Sequence, residues 1–178
     1  SFYEQLIKRA GTHMKMKFYK VIMLAMLYAL LATACNNPYD KITEEDEKVI
    51  LFVIEEYYKD SDFLYTRAID NHGTIYGAFP ERSICSGIES GEIFEGEVIQ
   101  TDDTVLMYYN MLREIDVEAD DIQLDPANYP EAPSIHYYGI LYGEEGMEIV
   151  ELYYYGGDHT ILDDENVETI VSWMEEWG

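Results

Sequence analysis

Lysine and arginine are scarce in this sequence, 11 in all against 36 aspartates and glutamates, for a formal charge of −25. A surface this acidic repels phosphate backbones and anionic lipid, which excludes direct nucleic-acid binding. Cysteine is nearly absent too. With only Cys35 and Cys85 there is no disulfide framework to staple a small fold. No apolar run reaches the roughly 20 residues that a membrane-spanning helix needs. There is no internal repeat and no low-complexity tract. Catalytic signatures are missing as well: no G-x-S-x-G elbow occurs, and no glycine-rich phosphate loop follows a strand. After Cys35 the histidines are His72, His136 and His159, none at metal-ligand spacing from another or from Cys85.

What is present begins with an export pattern. Lys15, Lys17 and Lys20 form a basic flank, Val21 to Leu31 an apolar run, and Ala32, Thr33 and Ala34 a small-residue stretch before Cys35. This basic, apolar, small-residue order is that of a secretory signal over residues 14–34. Residues 1–13 read as an upstream extension. The residues Leu30-Leu31-Ala32-Thr33-Ala34-Cys35 resemble the lipobox of bacterial lipoproteins, with Ala32 where that class usually has leucine. The resemblance covers the first fifth of the chain. It implies that Cys35 becomes the acylated first residue of the mature protein, anchored to a membrane on the non-cytoplasmic side of the cell envelope. Ala32-Thr33-Ala34 also fits the A-x-A site of an ordinary secreted protein, cut at the same bond. In that case Cys35 would be free to pair with Cys85.

Five of the bases (Lys8, Arg9, Lys15, Lys17, Lys20) and one acid (Glu4) precede Cys35, which leaves 6 bases against 35 acids behind it. No lysine or arginine follows Arg113. The charge keeps an exported domain soluble and also suits a cation or a basic partner. Taking 35 residues from 178 leaves 143, long enough for a two-layer core, and the 48% hydrophobic content supports folding. Residues 35–43 read as the anchor cysteine and a polar tether, and residues 44–178 as a single acidic domain.

Thr43 followed by Glu44, Glu45 and Asp46 has the form of a helix start, and Val49, Ile50, Val53, Ile54 and Tyr57 recur at helical spacing, predicting a helix over about 44–59. Phe63 to Ile69 and Thr74 to Phe79 flank a turn and predict a hairpin. Residues 80–91 read as loop, and Ile93 to Gln100 as a half-exposed strand. A second helix is expected over about 102–115, then a long loop over 116–133. Ile135 to Tyr142 and Met147 to Tyr155 predict a second hairpin. Asp163 and Asp164 cap a last helix over about 164–177. The expected class is α+β: an antiparallel sheet of two hairpins plus a strand, with helices on one face.

Candidate chemistry is thin. Cys85 would serve a hydrolase if His136 or His159 approached it, and a carboxylate pair is the other hydrolytic option. Asp116, Glu118, Asp120, Asp121 and Asp125 offer oxygen ligands for a weak calcium site, but lack the glycine and terminal glutamate of a hand-type loop. Tyr138, Tyr142, Tyr153 and Tyr155 are candidates for a binding face on the second hairpin. No cofactor is expected. The function expected is a tethered, non-enzymatic binding or accessory domain, with two alternatives: an envelope hydrolase, or an acidic inhibitor or immunity-type protein for a basic partner.

Overall fold

The computed structural model describes residues 39–58, 63–89, 94–124, 133–144, 146–156 and 159–177. The expected signal segment, Cys35 and Asp125 lie outside them.

From Ile50 to Glu55 six consecutive residues are buried, within a strand, β1 (Ile50–Tyr58). This replaces the helix expected over 44–59. β1 lies between β2 (Phe63–Asp70) and β6 (Ser134–Gly143), with packed residues on both of its faces. A strand covered on both sides carries a continuous apolar run, not an alternating one, and such a run can mimic helical spacing. The density of β-branched and aromatic residues (Ile50, Phe52, Val53, Ile54, Tyr57, Tyr58) is the strand signal that spacing alone obscured. Thr43 does make cap-like bonds, its N–H and hydroxyl both donating to Asp46 Oδ2 (2.6 and 2.9 Å), but they close a turn.

The remaining strands are β3 (Thr74–Ala78), β4 (Glu97–Thr101), β5 (Asp121–Leu124), β7 (Gly146–Tyr155) and β8 (His159–Leu162). All pair antiparallel in one sheet of order β4-β3-β2-β1-β6-β7-β8-β5. The described residues therefore hold eight strands, more than two hairpins and a strand. β5 lies within the expected 116–133 loop, and β8 was not foreseen at all. Strands of four residues are too short to show a period.

The helices are α1 (Ile84–Glu89), α2 (Val105–Leu112) and α3 (Glu165–Met174). α2 and α3 are shorter than expected, and α1 lies within the expected 80–91 loop. Asp164 caps α3 by accepting the Asn166 N–H. Contrary to the expectation of helices on one face, they take both. α2 and α3 pack on the face that carries Phe52, Ile54, Ile69 and Leu141. α1 sits on the other, with Val53, Ala68 and Ile140. A bulge between Ile50 and Phe52 turns Leu51 and Phe52 toward the α2/α3 side together. On that side Trp173 meets Phe52 edge-on at 5.2 Å and stacks on Tyr108 at 4.1 Å, locking the two helices together. Gly139 lets α2 approach closely, since a Cβ there would come within 2.5 Å of Leu112 Cδ1.

Candidate functional site

Cross-strand register decides which polar side chains meet on the α1 face. Glu55 on β1 pairs with Thr66 on β2 and with His136 on β6, and His136 pairs in turn with Tyr154 on β7. One step along, Val53 pairs with Tyr138, which pairs with Glu151. Between these rows the β6–β7 ladder is bulged, with Leu152 as the extra residue on β7. Glu151 and Tyr154 are an odd number of residues apart and would point to opposite faces of a regular strand. The bulge puts them on the same one.

The result is a ring-walled group. His136 Nδ1 lies 2.5 Å from Glu151 Oε1. Its ring meets Tyr57 edge-on at 5.4 Å, lies parallel to Tyr138 at 5.9 Å and leans on Tyr154 at 4.6 Å. His136 is partly open to solvent and Glu151 more so, with side-chain exposures of 24% and 45%. Beneath them Glu55 is fully buried. Its Oε1 accepts the Ile84 N–H at 2.8 Å and its Oε2 accepts the Tyr57 hydroxyl at 2.8 Å, so this one side chain ties β1 to the start of α1. Burial, then the Glu55 contact, pushes the Tyr57 hydroxyl well up from its ordinary value. Tyr138 is pushed up in the same way, first by burial and then by the charges of Glu151 and Glu55. Beside Glu55, Thr66 Oγ1 is buried without a hydrogen-bond partner.

Cys85 lies in the same cluster, 7% exposed. Burial, then the charges of Glu55 and Glu89, pushes its thiol far up, so it stays protonated at neutral pH. Among the described residues no hydrogen bond joins it to His136 or His159. His159 is buried against the Tyr155 ring at 4.3 Å, and its Nε2 has no hydrogen-bond partner.

Of the four candidate tyrosines, only Tyr138 joins the His136 group. Tyr142 turns inward and donates its hydroxyl to the Ile50 carbonyl at 2.8 Å. Tyr153 stands on the α2/α3 side with Tyr137, 5.4 Å ring to ring, and Tyr155 covers His159. Glu55 and Tyr57 were hidden by the helix reading, although their i, i+2 spacing is that of two residues on one strand face. The acidic candidates do not converge. Asp116 Oδ1 accepts the Glu118 N–H at 3.2 Å, Asp120 is exposed, and Asp121 opens β5. Among the described residues no three His, Cys, Asp or Glu side chains stand close enough together to hold a metal ion.

Next to the ring-walled group lies a groove of about 610 Å³. It runs between the end of β3, α1 and the start of β4, with Phe79 and Phe94 among its walls. It meets the Glu55 group at Ile84, whose N–H Glu55 accepts, and at Ser83, which bonds Tyr57. Phe79 is 70% exposed. The arrangement can hold a flat or cationic group against tyrosine and carboxylate. No known protein family, curated protein or solved structure matches this chain.

Proposed function

We propose that this chain is an envelope lipoprotein: Cys35 carries the acyl anchor, and the acidic domain is a binding module, not an enzyme. The observation that carries the anchor is the basic flank, apolar run and small residues that end at Cys35. No described helix is long and apolar enough to cross a membrane, so acylation would supply the attachment. The binding reading draws support from the ring-walled His136–Glu151 pair, which is solvent-accessible and held by three tyrosines. The partner that fits is basic, because 35 acids stand against only 6 bases behind Cys35. An inhibitor or immunity-type role is the form this takes if the partner is a cationic protein. A thiol hydrolase draws little support from a buried, protonated Cys85.

Intact mass of the membrane-extracted protein tests the anchor. The expected species begins at Cys35 and carries the mass of two or three acyl chains, and Cys35→Ala abolishes both the added mass and membrane retention. A protein that retains residues 14–34, or that bears a bare N-terminal thiol, would end the proposal.

A further inference from the structure

The stretch that begins at Tyr39, just behind the proposed anchor cysteine, is bound to the domain. Tyr39 forms a β-bridge with Gly143, and its carbonyl accepts from Arg113 Nε (3.2 Å) and Nη2 (2.7 Å). The Asp40 N–H donates to the Tyr142 carbonyl at 2.6 Å, and the Tyr109 hydroxyl donates to the Asp40 carbonyl at 3.3 Å. The Tyr39 hydroxyl donates to Glu148 at 2.5 Å, and Tyr39 and Ile42 pack against the core. The link from Cys35 to the folded domain is therefore shorter than the nine-residue tether of 35–43. Asn36, Asn37 and Pro38 separate Cys35 from Tyr39, the first described residue. Four Cα steps span at most about 14 Å by any path.

Tyr39 is pinned where β6 turns into β7. The opposite end of β6 is Ser134, about 30 Å away at ~3.3 Å per residue. Register carries the candidate surfaces to that far end: Tyr57 pairs with Ser134, Glu55 with His136, and Ala78, at the mouth of the groove, with Thr66. A domain this acidic gains nothing by lying flat on anionic lipid. Because the turn end is acidic too (Asp40, Glu44, Glu45, Glu144, Glu148), the covalent link alone sets the orientation, against repulsion.

Building on the lipoprotein reading, we infer that the pinned stub holds the Gly143–Gly146 turn toward the bilayer. The groove and the ring-walled His136 group then face the aqueous compartment. The partner is met in solution or on a facing layer, and is not a lipid or a membrane-embedded segment.

The test uses full-length acylated protein in phosphatidylcholine–phosphatidylglycerol vesicles that carry a headgroup energy acceptor. A thiol-reactive donor is placed by Glu144→Cys at the turn or by Phe79→Cys at the far end. Cys85 is buried and protonated, and an acylated Cys35 has no free thiol, so the dye goes to the introduced cysteine. Transfer from position 144 should exceed that from 79 at least about threefold, given the ~30 Å separation. Equal transfer, or more from 79, overturns the inference. Amide exchange at Asp40, measured on the same protein in detergent, tests the stub without reference to lipid. Its N–H should be protected at least about tenfold and lose that protection in Arg113→Ala. Exchange at the rate of an unstructured amide in the unsubstituted protein overturns the pinning. A protein that fails to bind vesicles, yet keeps Asp40 protected, refutes the anchor and leaves the pinned stub standing.

Discussion

The two faces of the sheet are packed in different ways. The side under α2 and α3 is a broad apolar core that includes Phe52, Trp173, Met174 and Trp177. The side under α1 has a small apolar patch, and beside it a buried glutamate, a buried thiol and three tyrosines around a histidine. Stability resides in the first face, because apolar burial is the dominant favourable contribution to folding. On the proposed binding reading, recognition would draw on the second, where His136 and Glu151 are held in place without being sealed from solvent. A short helix leaves part of that face open. The α2/α3 pair leaves little.

The sharpest way to break the contrast is to cut a large side chain from each face. Phe52→Ala removes a fully buried ring that packs on Trp173 and should cost about 3–5 kcal/mol in urea unfolding, enough to unfold a marginal domain. A loss under about 1 kcal/mol would mean that the two faces share stability evenly. Next in size is Glu55→Leu. It strips the acceptor from the Tyr57 hydroxyl and the Ile84 N–H and should cost about 1–3 kcal/mol. Glu55→Gln keeps acceptor capacity and should cost less. Adding Tyr57→Phe to Glu55→Leu should recover part of the loss, since one orphaned donor disappears. Additive losses in that double mutant would show that Glu55 acts through packing alone.

Parts of this division were legible in the sequence and parts were not. β6, β7 and α3 emerge from alternation, a glycine-flanked turn and an aspartate cap, signals that depend only on near neighbours. β1 does not, because its burial on both faces is a property of the whole sheet that erases the alternation. The site suffered the same fate in miniature. His136 and Tyr138 stood out as single residues, but Tyr154 reaches their face only through one extra residue, Leu152, in the β7 ladder. Nothing local in Glu151-Leu152-Tyr153-Tyr154 announces a bulge. The tyrosine strip expected on one hairpin was divided by the same geometry, so Tyr138 and Tyr153 serve opposite faces. The attachment of Tyr39 to the sheet was hidden too, since a stretch as polar as Tyr39 to Ile42 gives no hint that Arg113, more than seventy residues on, grips the Tyr39 carbonyl.

The smallest expected effect separates the faces by their response to alkali. Burial is the largest cause raising both Tyr138 under α1 and Tyr137 under α3, the latter to about 12. Their electrostatic surroundings differ. Glu151 and Glu55 both push Tyr138 up, and no base offsets them, whereas Arg67 partly offsets Glu175 and Glu56 at Tyr137. A phenol whose pKa is raised on folding keeps its proton after the unfolded chain has begun to lose its own. The stability it contributes is therefore complete below pH 10, the ordinary tyrosine value, and drains away as pH climbs from 10 through the folded value. Phenylalanine has no proton to lose. Tyr138→Phe should therefore move the midpoint of alkaline unfolding upward by a few tenths of a pH unit, and Tyr137→Phe by less. Phenolate absorbance and far-ultraviolet circular dichroism followed together between pH 9 and 13 would read both shifts. Equal shifts would mean that the carboxylates on the α1 face are screened by solvent, and a basic partner would then have to be held by the rings alone.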